Sequence, residues 1–433
     1  MSEVTVGIDI GTTAVKAVAA DGDGHVVARA RVPHALVVPA PDRMEHDANR
    51  AWRRGPRRAL QAVGADLDVR GVSVVAMVPS LTAVDRRGRP TTPGLLYGDV
   101  RGGGRDGEEM AGFLAWTRDQ APEAHGYWPA QALANHSLGG EAVLDFSAAA
   151  TCGPVFDLHT GTWDEALGVD SSHFPRVAGM GEAVGKVGDG AAVLDAGGVD
   201  AMGEQLVAGA DRDGDVMVIL GATLIVWAIS PDWRDVPGLI TIPHMAAPGR
   251  QFIGGPSNAG ALFVNWATSW LGKPARGDGG GVDPARVPVW APYPRGERAL
   301  LADPARRASL HDLDLGADAA ALRRAAFEAS GFVARRIVEA AGVEPRRIVA
   351  TGGGVRVPEW TQALADCTGL PVDVVAVPEG GALGAAFLAR LAAGLDTDMA
   401  GAARWARTSS RTEPDPRWQE ACAARYERFR EVA

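Results

Sequence analysis

The chain has 433 residues, 46% of them hydrophobic and 22% charged, and a formal net charge of -10. That length holds two domains with full cores, and the acidic balance argues against a nucleic-acid partner. Cys152, Cys367 and Cys422 show neither CxxC spacing nor a His at ligand spacing, which argues against a zinc module or a disulfide framework and fits a reduced compartment.

The N-terminus enters a strand with no basic segment and apolar core ahead of it, and no apolar run reaches the roughly 18 residues of a spanning helix. The expectation is a cytoplasmic protein with no membrane partner. Gly7-Ile8-Asp9-Ile10-Gly11-Thr12-Thr13-Ala14-Val15-Lys16 reads as a strand, a tight turn and a returning strand. Such a hairpin can grip a phosphate. Gly11 permits close backbone approach, Thr12 and Thr13 offer hydroxyl and amide donors, and Lys16 adds positive charge. Lys16 is also one of only three lysines in the chain. Asp9 is placed to hold a hydrated magnesium ion against nucleotide phosphates.

Asp21 to Gly24 reads as a turn into a third strand, since the later ligands and closing Glu of a calcium loop are missing. Asp211 to Asp215 gets the same reading. Asp47 is a candidate N-cap for an Arg-rich helix over 48–63. A buried strand from residue 69 ends at Met77 and Val78. In Leu95-Leu96-Tyr97-Gly98-Asp99-Val100-Arg101, alternation points Asp99 and Arg101 the same way, either toward a polyhydroxylated ligand or into an ion pair with each other.

Gly197-Gly198 ends an apolar stretch, and residues 201–210 have helical spacing, so Asp200 lies at a helix N-terminus. There it is an N-cap or, with its charge favoured by the helix dipole, a general base for a hydroxyl. Residues 214–230 then repeat the opening design, with Gly221-Ala222-Thr223 at the turn. Paired hairpins of this kind, facing each other across a cleft, resemble the nucleotide site of the sugar kinase, Hsp70 and actin superfamily.

Farther on, a Gly-rich turn containing Gly255 leads to a helix with Phe263, Trp266 and Trp270. Lys273 to Gly281 reads as a solvated loop without the Walker pattern. A long helix over 317–341 and a strand over 347–350 precede Gly352-Gly353-Gly354, whose spacing lets an adenine lie against the backbone. Residues 379–391 form a small-residue helix, and a polar, then helical, C-terminal extension follows.

The ordered set of Gly7 to Thr13, Glu45-His46-Asp47 with Trp52, Tyr97-x-Asp99-x-Arg101, Gly197-Gly198-Val199-Asp200, Gly352-Gly353-Gly354 and Glu379 with Ala382 resembles the FGGY carbohydrate kinases, most of all their xylulose kinases. The resemblance runs over residues 4–395. It implies an α/β protein of two ribonuclease-H-like domains, with 1–213 holding the sugar site and first hairpin, 214–395 binding nucleotide, and 396–433 a helical extension. It further implies transfer of the γ-phosphoryl group of ATP, with Mg2+, to a sugar or polyol hydroxyl, and it allows a homodimer. Asp200 becomes the base and Asp9 the metal ligand. Gly11, Thr12, Thr13, Lys16, Gly221, Ala222, Thr223, Gly255, Gly353 and Gly354 become nucleotide residues, and Met77, Val78, Asp99, Arg101 and Asp200 acceptor residues. The chain departs from the pattern at Ala222, where the family carries Thr after Gly, and at Val78, where xylulose kinases carry His. Glycerol or another polyol as acceptor, or a degenerate nucleotide-binding scaffold, are the alternatives.

Overall fold

A computed structural model describes residues 3–103, 109–165, 168–271 and 281–433. Apart from Gly281, the loop expected over 273–281 lies outside these described residues. Contacts divide the chain into two units, 1–207 with 379–405 and 208–378 with 406–433.

In the first unit, the strand Glu3–Ile10 is buried over all but its first residue, as its β-branched content favours. It pairs antiparallel with Ala14–Ala20, placing Asp9 opposite Lys16. The edge strand Val26–Pro33 alternates half-buried and exposed positions, the period of a one-sided strand. Asp21 accepts the amides of Asp23 and His25 at 3.0 and 2.9 Å, so the Asp-Gly segment is the expected turn. Asp47 accepts the Arg50 amide at 3.0 Å, and the following helix begins with a π-turn, Asn49–Arg54, before Gly55–Gly64.

The sheet runs in the order 26–33, 14–20, 3–10, 68–76, 193–195, 183–186, and the short strand Gly198–Val199 also pairs with 68–76. Strands 3–10, 68–76 and 198–199 are mutually parallel, with Ile10 and Val199 both registered to Ala76. Their carboxyl ends therefore release Gly11, Met77 and Asp200 at one edge of the sheet, where ligands of open α/β sheets bind.

The second unit repeats this order. Its sheet runs 240–243, 251–257, 224–230, 215–220, 347–351, 372–375, 408–412. The hairpin 215–220/224–230 is antiparallel, and 347–351 lies parallel to its first strand, with Ile219 registered to Thr351. Gly221 and Gly352 thus leave the same sheet edge.

The long helix spans Ala319–Ala341. Two expected boundaries are corrected. The small-residue helix Gly380–Ala392 packs against the first unit's sheet and not with the second domain, because glycines admit it closely: a Cβ on Gly7 would sit 1.8 Å from the Ala382 carbonyl oxygen. The C-terminal segment is no appendage either. Thr408–Thr412 completes the second sheet beside Val372–Val375, and Arg425 of the helix Pro416–Val432 pairs with the buried Glu328 at 2.7 Å. Among the described residues, no helix is long and apolar enough to cross a membrane.

Candidate active site

In the first hairpin turn the carbonyl oxygens of Thr12 and Thr13 are both engaged by neighbouring donors. The Gly11 amide closes the turn on the Ala14 oxygen at 3.1 Å, and the Thr13 oxygen accepts the His34 amide at 3.1 Å. The Thr12 oxygen is bonded to His46 Nε2 at 2.8 Å, and its hydroxyl meets the Tyr97 hydroxyl at 2.8 Å. With the Thr12 and Thr13 oxygens bonded and Thr13 exposed, the turn is a candidate anion grip.

Charge gathers beside this turn. Asp9 is buried, and its Oδ2 lies 3.2 Å from Lys16 Nζ. The negative charge of Asp9 raises the Lys16 pKa against the opposing effect of burial, with Glu204 and Asp200 adding to it, so the lysine stays charged. Asp200 opens the helix Asp200–Ala208 and accepts the Ala201 amide at 2.7 Å. Burial first, and then repulsion from Asp9, pushes its pKa up to about 7, while the Ala201 amide and Lys16 oppose the rise. A carboxylate so poised gains and loses a proton near neutrality.

Sequence reasoning missed two members of this group. Glu204 follows Asp200 by four residues and so shares its helical face, a spacing visible in the sequence. Gly381 left no such signal. A Cβ there would lie 3.3 Å from the Asp200 backbone carbonyl oxygen and 3.5 Å from Asp9 Oδ2, so the N-terminus of helix 380–392 abuts the Asp200 backbone and the Asp9 side chain.

Asp99 and Arg101 differ from their expected use as groups presented to a ligand. Arg101 holds Asp99 through Nε to Oδ1 at 2.8 Å and Nη2 to Oδ2 at 2.7 Å. The Arg101 amide takes Oδ1 at 2.9 Å, the Met44 amide takes Oδ2 at 2.5 Å, and Arg101 Nη1 reaches Glu45 at 2.6 Å. Burial disfavours the Asp99 charge, but these donors outweigh it and hold its pKa below the usual carboxylate range. Both Asp99 oxygens are thus committed to Arg101 and the Met44 amide, and its side chain is fully buried. Met77 is buried and Val78 partly so, just past the end of strand 68–76; the Met77 amide bonds to the Ile10 oxygen at 3.2 Å.

In the second unit, the turn Gly221-Ala222-Thr223 is backed by a helix. The amides of Ala261 and Leu262, which open the helix Ala261–Ser269, take the Gly221 and Ala222 oxygens at 2.8 and 3.2 Å. Gly255 lies within the strand Gln251–Ser257 and not in the expected Gly-rich turn. A Cβ on Gly354 would strike Leu220 and Trp360 at 2.6 Å, whereas one on Gly353 would meet nothing within 4 Å. Gly354 is therefore there for packing, and Gly353 borders open space.

Residues 4–104 match the N-terminal domain of the FGGY family of carbohydrate kinases, and residues 277–393 match its C-terminal domain. The xylulose kinase of Escherichia coli strain K12 is 26% identical over 90% of this chain and 90% of its own length. The glycerol kinase of Renibacterium salmoninarum is 24% identical over 97% of this chain and 94% of its own length. Among solved structures, the gluconate kinase of Lactobacillus acidophilus superposes with a TM-score of 0.82 at 20% identity, covering 100% of this chain and 98% of that one.

Proposed function

This chain belongs to the FGGY family of carbohydrate kinases and is an ATP-dependent phosphotransferase with a sugar or polyol hydroxyl as acceptor; from that premise we propose that Asp200 is its general base. The observation that carries this reading is the position of Asp200 at the carboxyl edge of the first sheet, with its pKa pushed up to about 7. Asp200 accepts the acceptor hydroxyl's proton as that oxygen bonds to the γ-phosphorus. The bond from that phosphorus to the bridging oxygen breaks, and ADP leaves with the electron pair.

The two hairpin turns, Gly11 to Thr13 with Lys16 and Gly221 to Thr223, are proposed to grip the nucleotide phosphates, and Gly353, which borders open space, to border the adenosine, with Gly354 packed beneath it. Asp9 suits magnesium. Lys16 bonds Oδ2 at 3.2 Å, and the other carboxylate oxygen would serve as a ligand to an ion held mainly by water and phosphates. When bound, that ion would neutralise charge on the phosphates.

For the acceptor, we assign Met77 and Val78 to the pocket wall. A valine offers no hydrogen bond, so the preferred acceptor is one with less polar or differently placed substituents than xylulose. The test is an ADP-release screen across ketoses, aldoses, polyols and cyclitols, with Val78→His alongside. Xylulose turnover should be weak in the natural protein and rise in the variant. High wild-type efficiency on xylulose would sink the specificity proposal, and no turnover on any alcohol would sink the Asp200 assignment with it.

A further inference from the structure

Behind the first phosphate turn lies a small sheet whose purpose the reaction leaves open. Its strands Glu45–His46 and Gly94–Leu96 pair with His46 opposite Gly94, and Tyr97 follows at once. Trp52 is fully buried, and its ring is seated so closely on Gly94 that a Cβ there would fall 2.3 Å from it.

The Trp52 indole N–H can only donate, and it donates to His46 Nδ1 at 2.9 Å. His46 Nδ1 is therefore an acceptor, and its single proton sits on Nε2. That Nε2–H in turn donates to the Thr12 carbonyl at 2.8 Å, inside the turn itself. The Tyr97 hydroxyl holds the Thr12 side chain from the same sheet. The peptide that must aim its amides at an anion is thus locked by a chain of donors running from Trp52 through His46 to Thr12.

We infer that His46 is a positioning residue for nucleotide binding, with Trp52 selecting the tautomer that lets it pull the Thr12 carbonyl away from the phosphates. The inference rests on the reading of the first hairpin as a phosphate grip. Burial keeps the ring neutral, with its pKa lowered to about 4, so the lock persists throughout the neutral range. His34 stands edge-on to His46 with centroids 4.6 Å apart and supports the ring without bonding to it.

The test measures KM for ATP and for the best acceptor separately. His46→Leu leaves a buried carbonyl without its donor and should raise KM for ATP about tenfold, with KM for the acceptor unchanged. His46→Gln keeps an N–H donor and a carbonyl acceptor at about the same reach and should restore the wild-type KM. Trp52→Phe frees the tautomer and should raise KM for ATP by less than His46→Leu does. If His46→Leu does not fold, Trp52→Phe and the glutamine variant carry the test. Equal changes in both KM values, or a glutamine variant no better than leucine, would overturn the inference. Lys16→Met separates it from its premise. If Lys16→Met weakens nucleotide binding and the His46 variants do not, the positioning role alone fails; if Lys16→Met changes nothing, the phosphate grip fails, and the inference with it.

Discussion

The two hairpins share a strand order and solve one problem by different means. If both turns grip phosphate as proposed, each must engage its carbonyls elsewhere. The first does so with side chains, His46 on Thr12, and with the amide of His34 on Thr13. The second uses the amides that open helix 261–269. The strands differ as well. The first hairpin pairs Asp9 with Lys16, whereas the second pairs apolar residues throughout, Val218 with Val226 and Leu220 with Leu224. A duplicated backbone therefore recurs in both halves, while the Asp–Lys pair belongs to the first hairpin and apolar pairs replace it in the second.

The sharpest way to break this contrast is to remove chemistry from the first half without disturbing its backbone. Asp200→Asn still accepts the Ala201 amide, since Asn serves helix starts about as well as Asp. Turnover should fall by roughly 10² to 10⁴, the range for loss of a general base, with ATP affinity little changed. Steady-state kinetics and calorimetry would check both parts, and near wild-type turnover would return Asp200 to a structural role. In the wild type, kcat/KM should drop about tenfold for each unit of pH below the Asp200 pKa, because only the ionised carboxylate accepts a proton.

The next effect tests whether Asp99 supports the first half or touches the acceptor. Asp99→Ala leaves the buried Arg101 guanidinium with Glu45 as its ion-pair partner and the face of Trp116, and should cost about 3 to 5 kcal/mol of folding stability. Denaturant titration would show it. A stable variant with a raised KM for the acceptor would restore the ligand-binding role.

An effect of comparable size, spread over pH, follows from the sign of the Asp200 shift. Its pKa is raised from 3.8 to about 7, so the folded state holds the proton more tightly than the unfolded chain. The associated stability is complete below the unfolded value and is lost as pH rises through the folded one. Asp200→Asn carries no such charge. Its melting temperature should therefore gain on the wild type between pH 4 and pH 8, and a constant difference would refute the shift.

The smallest expected effect lies in the second half, where Ala222 is half-buried in the turn. Ala222→Ser adds a hydroxyl to the turn proposed to grip phosphate, and should lower KM for ATP about two- to fivefold. A rise in KM would mean that the second turn works through its backbone alone.

The sequence by itself determined both hairpins, their duplication, and the place of Asp200 at a helix start. All three rest on short-range signals: alternating apolar runs, glycine at a turn, and a switch from period two to period 3.6. Glu204 was equally legible, four residues along the same helical face.

Only the tertiary structure decided the rest. Asp99 and Arg101 offered either a ligand contact or an ion pair, and the choice depended on the Met44 amide and Glu45, both distant in sequence. Helix 380–392 joined the first unit because Gly7, more than 370 residues earlier, leaves room for the Ala382 carbonyl. The C-terminal strand became a sheet edge because Val372–Val375 had an unpaired side to satisfy. The lock from Trp52 through His46 to Thr12 ties the 46–52 segment to a turn 34 residues earlier, a link that no local pattern reveals. Local periodicity records what a residue does for its own element; which distant backbone group completes its hydrogen bonds is settled only when the elements pack.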